Sequence, residues 1–246
     1  MIIEPDTNRL ILPDIYNARD MGGMRTISGK TTAYRRFIRA DSPSSLEASS
    51  IKALVDYPVR TVIDLRSESE VLRNGNPFIE EPGVLYANIP LFAADPANVS
   101  DDTMKMVVDN TLGDLYVYML DYSQPSILSV FKTIVTSPTD GAVLFHCMHG
   151  KDRTGLIAAL LYLLSGATKE DIIEDYSSSF QYIRPLVDPL IRANPESVHH
   201  MYRSDSTNMI LLLEHFKRKY DDDIRGYLLT IGLHADEIEQ LKSRLF

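Results

Sequence analysis

The chain carries one cysteine, Cys147, within the run Ala-Val-Leu-Phe-His-Cys-Met-His-Gly-Lys-Asp-Arg-Thr-Gly that spans Ala142 to Gly155. An apolar stretch of strand type, Ala142 to Phe145, leads into the cysteine, and an apolar run of helical type extends from Thr154 to Leu164. Strand, short loop and helix N-terminus form a natural anion site, because successive N–H groups turn inward and the helix dipole adds positive charge. That setting favours a thiolate at Cys147 and makes it a competent nucleophile. Arg153 adds a permanently charged planar fork that can hold two oxygens of one phosphate. The chemistry implied is attack of sulfur on phosphorus. Backbone N–H groups of Met148, His149, Gly150, Lys151, Asp152 and Arg153, with the Arg153 side chain, would hold the equatorial oxygens as the transition state develops. Thr154 would donate to the sulfur and help it leave, and His146 would orient the loop from behind.

The spacing of Cys147, five intervening residues, Arg153 and Thr154 resembles the signature loop of the protein tyrosine phosphatase superfamily, and His146 strengthens the match. The fuller string His-Cys-x-x-Gly-Lys-Asp-Arg-Thr-Gly is similar to a bacterial branch of tyrosine, dual-specificity and phosphoinositide phosphatases that includes mycobacterial protein tyrosine phosphatase B. Two further strings resemble the same branch: Asn17-Ala18-Arg19-Asp20-Met21-Gly22-Gly23, with Met21 in place of the usual Leu, and Asp64-Leu65-Arg66-Ser67. The resemblance implies hydrolysis of phosphate monoesters through a cysteinyl-phosphate, with no cofactor or metal. It also implies that the Asn17 string packs near the loop and that Asp64 and Arg66 buttress it.

The general acid is less direct. The familiar relatives use an Asp on a mobile Trp-Pro-Asp loop, and this chain has no tryptophan. Asp152, inside the loop, is the leading substitute, as the resemblance also implies, and Asp95 is the alternative. Lys151 bears on substrate: a point charge on a flexible stem suits additional phosphates, so phosphorylated proteins and phosphoinositides are both expected partners. Two readings from other classes stay open, a rhodanese-like sulfurtransferase and a phosphate-binding pseudoenzyme.

These residues need a scaffold, and the chain is long enough to build one. At 246 residues with 44% apolar content, a substantial core is expected in a single domain, 1–246. A lone cysteine excludes an internal disulfide. The net charge of −9 argues against generic nucleic-acid binding, although residues 1–40 carry a net of +3. Met1 to Asn8 lacks the apolar core of a secretory signal, and the longest apolar run is too short to cross a bilayer. A cytoplasmic location is the expectation, while the oligomeric state is not legible.

The pattern predicts an α/β fold: a central, mostly parallel sheet flanked by helices, with a helical C-terminal half. Strands are expected at 9–12, 33–40, 59–65, 85–90 and 142–145. Helices are expected at 45–57, 101–121, 126–136 and 154–164, from Thr168 onward, over 206–219, and in two further segments before Phe246. Gly166 is the expected stop of the buried helix. Met104, Met106, Val107, Leu112, Leu115, Tyr118 and Met119 are apolar candidates in the helix over 101–121, which could form a lid if partly exposed beside the active site. Pro185, Pro189 and Pro195 predict short irregular pieces over 180–201, with His199 and His200 in a loop.

Overall fold

The strand that leads to Cys147 lies inside the sheet, and burial of both its faces explains its unbroken apolar sequence. The computed structural model describes residues 2–4, 8–92 and 111–246. Strands are numbered in chain order: β1 Ile2–Glu4, β2 Arg9–Ile11, β3 Arg19–Asp20, β4 Phe37–Ala40, β5 Val59–Asp64, β6 Leu85–Asn88 and β7 Ala142–His146. Their spatial order is β1-β2-β3-β4-β7-β5-β6. Strand β7 runs parallel to β4 and β5, and β6 runs parallel to β5. The parallel expectation holds for these four. The first three strands instead form an antiparallel margin against β4, as suits strands joined without a crossover helix.

Nine α-helices are seen among the described residues: α1 Ala48–Asp56, α2 Glu68–Asn74, α3 Leu112–Tyr122, α4 Gln124–Thr136, α5 Arg153–Ser165, α6 Lys169–Ala193, α7 Ser206–Tyr220, α8 Ile224–Thr230 and α9 Ala235–Arg244. A 3₁₀ helix occupies Glu196–Tyr202. Alternation along β7 divides the core. Val143 and Phe145 face the helical C-terminal half, whereas Ala142 and Leu144 face the second cluster, which includes Leu54 of α1. Helix α5 is buried on nearly every face and ends at Gly166 in the left-handed region, φ 82°. Ala40, Asp64 and His146 pair in register at the C-terminal ends of β4, β5 and β7. Their following loops therefore converge where ligand sites of open α/β sheets lie.

The largest departure from the sequence pattern is α6, which continues through Pro185 and Pro189. Both prolines lie on its exposed side, where water can meet the carbonyls that lose a partner. Meanwhile Ile172, Tyr176, Ser179, Ile183 and Val187 keep a buried stripe at helical spacing. Packing of that stripe outweighs the local penalty. Pro195 does fall outside α6, and His199 lies in the 3₁₀ helix with Nε2 2.9 Å from the Asn194 carbonyl. Helix α2 has no counterpart among the expected elements. The helix expected from 101 is described from Leu112, and Met104, Met106, Val107 and Asp95 lie outside the described residues, as does the part of the expected lid helix before 111.

Candidate active site

The loop from Cys147 to Asp152 is held by its outward-facing oxygens. The His146 carbonyl accepts from Leu65 N at 2.8 Å and the Met148 carbonyl from Ser42 N at 3.0 Å. The Cys147 carbonyl meets His146 Nδ1 at 3.0 Å, the His149 carbonyl accepts from Asn17 Nδ2 at 2.9 Å, and the Gly150 carbonyl from Arg39 Nη2 at 2.8 Å. With these carbonyls tied outward, the N–H groups of Met148 through Arg153 are left facing no acceptor among the described residues. That is the polarity an anion requires. Gly150 makes the bend possible: its φ is +68°, and a Cβ there would lie 2.4 Å from the Ala40 carbonyl oxygen.

The supports come from the strings singled out in the sequence. Asn17 also donates its N–H to Asp41 Oδ1 at 2.8 Å, and its side-chain oxygen accepts from Arg19. Arg19 and Arg39 both pair with Asp175 of α6, whose carboxyl would be raised by burial but is held below its ordinary value by the two guanidinium groups. Asp64 and Arg66 form a fully buried, two-pronged ion pair, at 2.9 and 2.6 Å. Burial would raise Asp64; His146, which is charged at the low pH where Asp64 would take up a proton, together with Arg66 and Asn76 reverses this and keeps it ionised. Asn76 Nδ2 lies 2.9 Å from both Asp64 Oδ2 and His146 Nε2, and Asn76 Oδ1 accepts from Phe78 N. These partners assign the His146 tautomer. Nδ1–H donates to the Cys147 carbonyl, Nε2 accepts from Asn76, and burial lowers the His146 pKa, which keeps the ring neutral.

Around the mouth, Arg153 donates through both terminal nitrogens to Glu70 of α2, at 2.6 and 2.9 Å. Burial would raise Glu70, but the hydrogen-bonded Arg153 holds it below its ordinary value. For Arg153 the Glu70 bonds overcome burial in the other direction and raise its pKa. Ser67 and Glu70 form a reciprocal cap at the start of α2, so the residue that orients Arg153 is itself fixed by helix initiation. Sequence reasoning passed over Glu70, although Ser67-x-x-Glu70 is a capping signal.

Asp152 Oδ1 accepts from Lys151 Nζ at 2.7 Å and from the Tyr116 hydroxyl at 2.5 Å. The Lys151 side chain, expected to meet additional phosphates, is fully buried and turned to Asp152. Half-buried His149 is pushed down to about 4 by loss of water and by the neighbouring Lys151 cation. Thr154 Oγ1 is buried without a hydrogen-bond partner, so the expected bond to sulfur is not made. Above the loop lies a cavity of about 430 Å³, whose walls include Phe92, Leu112, Leu115, Met119, Met201 and Tyr202, with Glu70, Arg73, His149, Asp152 and Arg153 at its polar end. Its α3 wall is made of Leu112, Leu115 and Met119, apolar candidates of the expected helix, whereas the contribution of Met201 and Tyr202 from the 3₁₀ helix was not legible in the sequence.

A profile of the tyrosine phosphatase family matches residues 10–246. A tyrosine-protein phosphatase of Nostoc commune is 33% identical over 224 residues, covering 85% of this chain and 74% of that protein. The triple specificity protein phosphatase PtpB of Mycobacterium tuberculosis is 28% identical over 193 residues, 68% of each chain. Among solved structures, TpbA of P. aeruginosa aligns over 92% of this chain and 96% of its own, with 18% identity and a TM-score of 0.45.

Proposed function

We propose a reaction for this chain, which belongs to the tyrosine phosphatase family: hydrolysis of phosphate monoesters, phosphotyrosine first among them, through a phosphorylated Cys147. The observation that carries the reading is the loop's polarity, with carbonyls tied outward and N–H groups turned inward between Cys147 and Arg153. The Cys147 sulfur attacks phosphorus. The P–O bond to the alcohol breaks, and Asp152 protonates the departing oxygen. Water then attacks the cysteinyl-phosphate, gives its proton to the Asp152 carboxylate, and releases phosphate and thiolate. Inward N–H groups and the Arg153 N–H groups not engaged with Glu70 stabilise the equatorial oxygens in both steps. Thr154, whose hydroxyl is unpaired, donates to the leaving sulfur in the second.

The cavity suits an aryl monophosphate with apolar neighbours. Among the described residues its lining holds Arg73 and Arg153 as cations, while Lys151 is directed to Asp152. The words triple specificity in the name of the mycobacterial relative support a test across several classes of phosphate monoester. A phosphate-release panel of phosphotyrosine, phosphoserine and phosphothreonine peptides beside mono- and polyphosphorylated inositides tests the reading. Wild type is expected to favour phosphotyrosine, and Cys147→Ser to lose turnover while still binding substrate. Turnover that survives Cys147→Ser overturns the proposal, and thiosulfate turnover without phosphate release would favour a sulfurtransferase.

A further inference from the structure

We infer that Tyr116 is a positioning residue for Asp152, fixing which carboxyl oxygen carries the proton given to the leaving group; this rests on the phosphatase reading with Asp152 as its acid. Tyr116 lies in α3, wholly buried, and is distant in sequence from the loop it touches. Its hydroxyl donates to Asp152 Oδ1, so its oxygen must accept the hydrogen of Tyr176, 2.7 Å away on α6. The Tyr176 oxygen in turn accepts from Asn208 Nδ2 at 3.5 Å, and Asn208 Oδ1 accepts from Gly113 N at 3.1 Å, which fixes the amide's direction. Every hydrogen in this chain points toward Asp152.

Lys151 Nζ donates to the same Oδ1. An oxygen receiving two hydrogens has no favourable place for a third, so the proton of the acid form sits on Oδ2. Oδ2 makes no hydrogen bond to a described residue, and Asp152 lines the cavity. When the P–O bond breaks, the Oδ2–H bond breaks with it. The leaving oxygen takes the proton, and the carboxylate keeps the electron pair, its charge met at Oδ1 by Tyr116 and Lys151. The charged and titratable groups facing Asp152 are Lys151, His149 and Arg153, with Cys147 and Glu70 acting on Arg153; Tyr116 and Tyr176 face it from α3 and α6, and Asp205 acts on Tyr176.

Tyr116→Phe removes the hydroxyl and keeps the ring that packs edge-on against Tyr176. With a poor leaving group, such as phenyl phosphate, kcat is expected to fall about 5- to 20-fold with little change in KM. With 4-nitrophenyl phosphate, whose departure needs less protonation, the loss is expected to be well under half as large. Removing a donor from the carboxylate favours its protonated form, so the basic limb of kcat against pH moves to higher pH. In an Asp152→Asn background Tyr116→Phe should add almost nothing. Tyr176→Phe, one step along the chain, should shift the profile the same way by less, which keeps the test available if Tyr116→Phe folds poorly. Equal losses for both leaving groups with an unmoved pH profile would reduce Tyr116 to packing and overturn the inference. Absence of any Cys147-dependent turnover in wild type would instead overturn the reaction on which it depends.

Discussion

Glu70 and Arg153 act as one unit, although only Arg153 was visible as a functional residue in the sequence. The guanidinium is aimed by a carboxylate that also starts α2. Glu70→Gln keeps the shape but gives up charge at both hydrogen bonds, and hydrogen bonds to charged groups contribute roughly 1.5–3 kcal/mol. A fall of about 10- to 100-fold in kcat/KM is expected, measured on an aryl phosphate; a change within twofold would remove Glu70 from the machinery. Asp152→Asn should abolish the basic limb of kcat against pH with a poor leaving group, while an unchanged profile would exclude Asp152 as the acid. Gly150→Ala forces a Cβ into both a left-handed conformation and the Ala40 carbonyl. It should cost at least about 2 kcal/mol by denaturant unfolding and most of the activity. The loop itself was legible because Cys147, the proposed nucleophile, the N–H groups and Arg153 are contiguous in sequence. Glu70, Tyr116, Tyr176 and Asn208 were not, because folding alone brings them to it.

At the scale of elements, what the sequence conveyed depended on how local the cause was. Strand β7 and helix α5 announce themselves through apolar runs whose ends fall within a residue or so of those expected. Helix α2 is short, and its start rests on a single capping pair beside a functional string. In α6 the local signal points the wrong way, since two prolines argue for breaks that a long buried stripe overrides. Pro185→Ala restores a backbone donor on the exposed side and should stabilise the fold by about 1–2 kcal/mol, less than the full helix penalty because proline also restrains the unfolded chain. Chemical denaturation would check this, and a destabilised variant would show that the prolines are compensated by something other than packing. The antiparallel margin escaped notice for another reason: β1 and β3 are three and two residues long, below the length at which alternation can be read.

At the scale of the whole molecule, Asp41 and His149 change stability in opposite directions over the same acidic window. Burial lifts Asp41 from 3.8 to about 6, so the native state holds its proton more tightly than the unfolded chain does. That stabilisation is complete below about pH 4 and is lost as pH rises through 6. His149 moves the other way, from 6.5 to about 4, so its contribution to stability grows across the same range. In a His149→Gln background, adding Asp41→Asn should therefore remove a decline of up to about 3 kcal/mol between pH 4 and 6, read as the difference between the two variants by denaturant unfolding at several pH values. An unchanged difference between the two variants across that window would mean that Asp41 is not the group responsible. The inward N–H groups of Met148 through Arg153 carry a last consequence. Amides without an acceptor exchange their hydrogens readily, although here they adjoin the most deeply buried helix of the fold. In deuterated water the free enzyme should label these positions far sooner than α5, and phosphate or vanadate should slow them selectively. The loop would thus report occupancy of its own site by mass, with no turnover and no substrate.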